Sequence, residues 1–191
     1  MKGRRQLTRN EILMMCKNAA HEKRITKSSA WFMCTVTASY VLWKNEKMGA
    51  MKISSILNDI NQDEYAWNVG DVDLESIRQK MKDKYGIEFG FSEESVRTRT
   101  NSDRFQTFLN KKQLENDNQI YEIADRFTLL LLNNLIDYGY GEKRLTRVNT
   151  DMFKLISETS ANHTIYKLYN ELRDYCGLEL EKPKDYMEGV S

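Results

Sequence analysis

Residues 32–60, FMCTVTASYVLWKNEKMGAMKISSILNDI, decide the reading of this chain once residues 127–156, FTLLLLNNLIDYGYGEKRLTRVNTDMFKLI, are laid beside them. Each segment opens with an apolar stretch that ends on an aromatic, Trp43 in one and Tyr138 in the other. Each then makes a short polar turn, passes through Glu-Lys (Glu46-Lys47 and Glu142-Lys143), and runs on as an amphipathic stretch, Ile53 to Ile60 and Val148 to Ile156. The echo continues: Leu74, Ile77, Met81, Gly86, Ile87 and Phe89 return as Ile165, Leu168, Leu172, Gly177, Leu178 and Leu180. Apolar residues three and four apart, stopped by glycine, are a helical signal. The pattern predicts one helical unit used twice: a core helix, a broken turn, an amphipathic helix, a loop, a second amphipathic helix and a Gly-stopped extended strap. A unit of about 55 residues can hardly bury its own core helix, so the halves are expected to pack on each other.

Working outward, Thr8 with Glu11 forms a capping box for a helix that fades by Glu22. Ser28 or Ser29 caps the next helix, which reaches Lys47 and is apolar nearly all round, as befits the middle of a bundle. Gly49 breaks it, a third helix covers residues 51–61, and residues 62–70 read as a loop holding Tyr65 and Trp67. Asp73 caps a helix over 74–85, which Gly86 ends in the left-handed conformation. Residues 87–91 alternate as a short strand or strap, Arg97 to Thr100 extend a hairpin with it, and Ser102 caps a helix to Lys112. A second core helix covers 119–138, Gly139-Tyr140-Gly141 interrupts, and helices over 145–158 and 163–176 follow.

The expected fold class is all-α, a compact bundle of about seven to eight helices from two degenerate repeats, with short extended straps after Gly86 and Gly177. Residues 1–91 hold a basic N-terminal helix and the first repeat, residues 92–182 a connecting helix and the second, and the polar tail 183–191 is expected to be mobile.

Composition narrows the function classes. One proline and nine glycines are too few for a β-rich fold of 191 residues. A formal net charge of +1 excludes a general polycation, so any nucleic-acid contact needs a local patch. Three irregularly spaced cysteines, Cys16, Cys34 and Cys176, suit a reducing cytoplasm without a disulfide framework. The start Lys2-Gly3-Arg4-Arg5 runs into polar residues, so no export leader is expected, and the longest apolar run, 30–43, is too short to span a bilayer.

One stretch reads as a motif: Tyr138-Gly139-Tyr140-Gly141-Glu142-Lys143-Arg144-Leu145-Thr146-Arg147. Its glycines permit positive φ and close approach of another backbone. Lys143, Arg144 and Arg147 then fall at a helix start, which already carries partial positive charge, so they cost stability unless an anion offsets them. A small anion, a nucleotide phosphate or a partner carboxylate fits there, with Gly139, Tyr140, Gly141, Lys143, Arg144 and Arg147 as the candidate site. The plainer reading is a glycine-punctuated corner with solvated cations.

This stretch, with two helices after it and a closing Gly177-Leu178-Glu179-Leu180, resembles small proteins of phages and prophages of Gram-positive bacteria that carry an F-G-F-G-K-K-R-L-type turn. The resemblance covers about residues 127–181; in the first half, Leu42 to Met48 lacks both glycines and the Lys-Arg-Leu. It implies a phage accessory protein and no reaction.

A second candidate is the basic N-terminal region, Lys2, Arg4, Arg5, Arg9, Lys23, Arg24 and Lys27, able to follow phosphates, although Glu11 and Glu22 interrupt it. Arg97, Arg99 and Arg104 form a weaker basic stretch, and residues 52–64 lack the glycine turn of a helix-turn-helix element. The two histidines, His21 and His163, are not placed to share a metal or serve a nucleophile; no phosphate loop or nucleophile elbow occurs. No catalytic residue, metal or cofactor is therefore expected. Trp31, Trp43, Tyr40, Phe127 and Tyr138 are expected to pack in the core, and Tyr65 and Trp67 to fold back on it or project toward a partner.

These readings converge on a non-enzymatic, cytoplasmic, phage-encoded accessory binding protein. Its expected target is a host or anti-phage protein, or a small anionic signalling nucleotide to be sequestered. Nucleic-acid binding through the basic N-terminus is the alternative, no membrane is involved, and a homo-oligomer stays open.

Overall fold

A computed structural model describes the backbone of residues 9–87, 122–162 and 165–183, and the side chains of 27–87, 122–156 and 165–183. Among the described residues every regular element is helical.

Helix α1 runs unbroken from Arg9–Lys44, 36 residues or about 54 Å. The break expected at Ser28 and Ser29 is absent. Neither glycine nor proline occurs between Arg9 and Lys44, and serine alone costs a helix too little to end it. The second half of α1 is buried almost all round, with Val36, Ala38 and Leu42 fully enclosed. Its polar residues need no water there. Thr35, Thr37 and Ser39 donate their hydroxyls to the carbonyls of Trp31, Met33 and Thr35 at 2.9, 2.7 and 2.7 Å.

Helix α2 covers Ala50–Val69 and ends at Gly70, φ +89°. The loop expected over 62–70 is thus the last two turns of this helix. Tertiary bonds hold them: Asp63 accepts from Asn134 at 2.8 Å and Glu64 from Arg126 at 3.3 Å. Trp67 folds back beneath the Arg126 guanidinium, 4.2 Å from its ring centroid, whereas Tyr65 projects, 71% exposed. Helix α3, Leu74–Tyr85, starts and stops as the sequence predicts. Asp73 accepts from the Glu75 N–H at 3.0 Å, and Gly86 (φ +62°) lets the Ile87 N–H reach the Met81 carbonyl at 3.1 Å. The strand, the hairpin and the helix expected from residue 88 to Lys112 lie outside the described residues.

Helix α4 occupies residues 122–137, with Leu129 to Leu132 and Leu135 fully buried. Helix α5, Glu142–Asn162, and helix α6, Ile165–Glu171, follow. A π-turn, Leu172–Cys176, closes α6 at Gly177 (φ +72°), and the Leu178 N–H bonds the Leu172 carbonyl at 3.1 Å. Residues 178–183 form a non-helical strap that buries Leu178.

The two corners share one hydrogen-bond pattern. The Gly49 carbonyl accepts from the N–H groups of Lys52 and Ile53, and the Gly141 carbonyl from those of Arg144 and Leu145, all at 3.0 to 3.1 Å. The left-handed residue two places earlier is Lys47 (φ +58°) in one and Gly139 (φ +81°) in the other. The geometry thus matches Gly49 with Gly141, not Glu46 with Glu142 as the sequence comparison does. At this register Ile53, Ile56 and Ile60 correspond to Leu145, Val148 and Met152, all fully buried.

α1 lies against α5, α6, α2 and the π-turn. Phe32 meets Tyr169 at 5.9 Å between centroids, Tyr40 donates to Glu171 at 3.2 Å, and Asn45 donates to Asp151 at 2.8 Å. α4 bonds instead to α2 and α3: Arg78 to Asp125 at 2.6 Å, Asn134 to Asp63, and the Tyr138 hydroxyl with Asp59 at 3.0 Å. Trp31 sets its edge against Phe127, 4.9 Å away, where α1 and α4 meet in the centre. Trp43, Tyr40, Phe127 and Tyr138 all pack on this core. Among the described residues no helix is long and apolar enough to cross a membrane.

Candidate functional site

The glycine corner that the sequence marks as an anion site already holds an anion. Glu46, at the end of α1, projects its carboxylate between two arginines of the first turns of α5. Arg144 donates Nε and Nη2 to Oε2 at 3.0 and 2.8 Å. Arg147 donates Nε to Oε1 at 2.8 Å and adds a short Nη2 contact to the same oxygen. The Glu46 side chain is 1% exposed, while those of Arg144 and Arg147 are 45% and 53% exposed. The carboxylate offsets the cations at the positive end of α5, the role the sequence leaves to a ligand or partner.

Local structure explains the placement. Gly139 supplies the left-handed turn, and the Gly141 carbonyl starts α5, so Arg144 and Arg147 lie on one face, three residues apart. Tyr140 between the glycines is buried, and its ring carries the Arg144 guanidinium at 3.6 Å. Lys143 faces solvent.

Burial alone raises the Glu46 carboxyl, but the hydrogen bonds from Arg144 and Arg147 outweigh it and hold the group below its ordinary value. Burial, and then the nearby Glu46 charge, pushes the Tyr140 phenol up to about 12. That hydroxyl faces the carboxylate, and their interaction favours the ionised Glu46 and the neutral phenol. A carboxylate kept ionised by two arginines is a poor base, and a phenol at about 12 a poor acid.

Of the predicted N-terminal cluster, Lys27 is exposed on α1; Arg9, Lys23 and Arg24 fall on the α1 backbone, and Lys2, Arg4 and Arg5 lie outside the described residues. Arg97, Arg99, Arg104 and His163 are likewise outside. Among the described residues no group of three or more His, Cys, Asp or Glu is gathered to hold a metal. Cys34 is enclosed in the core, where burial pushes its thiol up to about 12.

The structure adds a site that the sequence reading misses. A cleft of about 830 Å³ opens between α1, α2, the start of α4 and the C-terminal strap. Its apolar floor is Trp31, Phe32, Leu57 and Ile123, and one wall is a polar rank on α2: Ser54, Asn58, Asn61, Glu64 and Asn68. The strap from Glu179 to Pro183 forms the other wall. Arg126 stands between Glu64 and Trp67, and its Nε is buried without a partner. Burial raises the Glu64 carboxyl, with Arg126 acting against it. The rank was legible as spacings of three, four and seven residues, but only if α2 is carried past residue 61.

Compared with known proteins, the chain matches no family model, no curated protein and no solved structure.

Proposed function

We propose that this chain is a non-enzymatic binding protein that engages another protein through the cleft beside α2. The observation that carries the reading is the cleft itself, a concave surface lined by Trp31, Phe32 and Arg126 inside a polar rim; aromatic residues and arginine are the types enriched at protein contacts. The anion-sequestering reading of Lys143, Arg144 and Arg147 is weaker, because Glu46 already neutralises the two arginines. A second reading, nucleic-acid contact along the N-terminal part of α1, has the exposed Lys27 in its favour.

Two copies of one helical unit, crossed over each other, form the scaffold. The matched corner bonds at Gly49 and Gly141, and the matched stops at Gly86 and Gly177, support this duplication. The resemblance of residues 127–181 to phage proteins supports a phage-encoded accessory acting in the host cytoplasm.

The test is capture from host lysate with and without nuclease, followed by reconstitution from two purified proteins. The expected result is a nuclease-resistant complex that reforms in isolation and is lost on Asn61→Arg, which places a long charge in the cleft. A nuclease-sensitive capture, or a complex indifferent to Asn61→Arg, contradicts the proposal.

A further inference from the structure

We propose that α2 pairs with α2 of a second copy of this chain, antiparallel, across a two-fold axis near residue 60. The inference goes beyond the cleft reading and does not depend on it. Composition is the first argument. Ten residues of α2 are exposed, and Lys52 is the one charge among them. By contrast, α3 exposes seven residues and the described part of α5 another seven, and in each five are charged. Loss of charge, with Met and Tyr present, marks the centre of a protein contact rather than an ordinary solvated face. Met51 at 89%, Tyr65 at 71% and Val69 at 54% are three of the four exposed large hydrophobic residues among the described residues, and all three belong to α2.

Alignment is the second. At about 100° per residue, Met51, Ser55, Asn58, Gln62, Tyr65 and Val69 fall within ~40° of one line along the helix. That line is opposite the buried Ile53, Ile56 and Ile60. The flank that walls the cleft, Ser54, Asn61 and Asn68, lies about 80° round from it. The neighbouring charges turn aside: the Lys52 ammonium lies over the Tyr138 ring at 5.5 Å, and Asp59 accepts from the Tyr138 hydroxyl at 3.0 Å.

Self-complementarity is the third, and it selects the occupant. In an antiparallel pair centred on residue 60, Met51 meets the partner's Val69, Ser55 the partner's Tyr65, and Asn58 the partner's Gln62. Apolar lies on apolar, a small side chain on a large ring, and carboxamide on carboxamide, each both donor and acceptor. No like charges meet: Lys52 falls opposite the partner's Asn68, and Asp59 opposite the partner's Asn61. This register uses the full length of the helix, and a charged ligand finds no counter-charge along the line. Area sets the strength. A helix of 20 residues is about 30 Å long and ~10 Å wide, so it offers about 300 Å² per copy, against about 800 Å² in a standard interface. The dimer is therefore weak and forms as concentration rises.

The test is sedimentation equilibrium of the full chain at concentrations up to about 1 mM. The apparent mass is expected to rise toward twice that of the chain. Residue 62 and its counterpart lie about 6 Å apart along the axis, so Gln62→Lys should weaken association at least about tenfold, and mixing it with Gln62→Glu should restore it. Residue 51 and its counterpart lie about 27 Å apart, beyond the Debye length of about 8 Å. Met51→Lys mixed with Val69→Glu should therefore associate at least about tenfold more tightly than Met51→Lys mixed with Met51→Glu. All three positions are exposed, and Lys and Glu favour helix, so circular dichroism should be unchanged. A chain monomeric to about 1 mM, a dimer indifferent to Gln62→Lys, or equal association of the two Met51→Lys mixtures overturns the proposal. A monomer whose lysate complex is lost on Gln62→Lys assigns the face to a different protein and overturns self-pairing. Met51, Gln62 and Val69 do not line the cleft, so failure of self-pairing leaves the cleft reading standing.

Discussion

Removing both arginines of the corner should cost more than the sum of removing each, and neutralising Glu46 should restore part of the loss. Hydrogen bonds to a charged group contribute about 1.5–3 kcal/mol. Arg144 and Arg147 are about half exposed, so solvent screens each pair and compensates the lost partner. Either single Arg→Ala variant leaves Glu46 one guanidinium, and about 1 kcal/mol is expected for each. The double variant leaves a carboxylate whose side chain was 1% exposed with no counter-charge. A broken buried pair costs about 3–5 kcal/mol; the low end, ~3, applies because truncating two long side chains admits water. Adding Glu46→Gln removes the stranded charge and should recover about 1 kcal/mol or more. Urea titrations followed by circular dichroism, with unchanged m-values, measure all of this. A double variant no worse than the summed singles, or a triple variant no more stable than the double, refutes the claim that Glu46 is the anion this corner was built around.

The same clamp sets an acid limb. The folded Glu46 group titrates below its ordinary value, so its contribution is full above about pH 4.5 and is lost as pH falls through the folded value. Glu46→Gln should flatten that limb in a pH series of urea midpoints. Glu64 has the opposite sign: its folded value is raised, so its contribution is present below about pH 4.5 and lost as pH rises. Glu64→Gln should therefore leave stability at pH 7 unchanged or higher, with the difference shrinking in acid. Lys47 holds φ +58° where the other corner has glycine, so Lys47→Gly should stabilise by about 0.5 kcal/mol and Gly139→Ala (φ +81°) should destabilise by about 1 kcal/mol, both read from thermal midpoints. Leu135→Ala, at a fully buried α4 position, should cost about 2–5 kcal/mol in the same assay.

The helical class and most helix ends were legible because they are local. Asp73 acts through its side chain on the next turn, and Gly86, Gly139 and Gly177 through their own backbone, and each does what its residue type requires. The failures share one cause. Ser28-Ser29 and residues 62–69 look like breaks by composition, yet no residue there forbids a helix; for 62–69 distant contacts add to this, since Glu64 and Trp67 are held by Arg126, some sixty residues away. The counter-charge of the corner comes from within the chain: Glu46 lies 98 residues from Arg144, and sequence alone does not say which carboxylate arrives. Aligning Glu46 with Glu142 hid the answer, because Glu46 is the partner of the second corner rather than the echo of its glutamate. The cleft stayed invisible for the same reason as the end of α2.

Packing of α1 against α6 and α4 is tested most directly by ring-proton nuclear Overhauser effects in the full chain. Strong cross-peaks are expected between Phe32 of α1 and Tyr169 of α6, and between Trp31 and Phe127, whose centroids lie 5.9 and 4.9 Å apart. Phe32 showing contacts only to residues of α2 and α3, with none to Tyr169, contradicts the account.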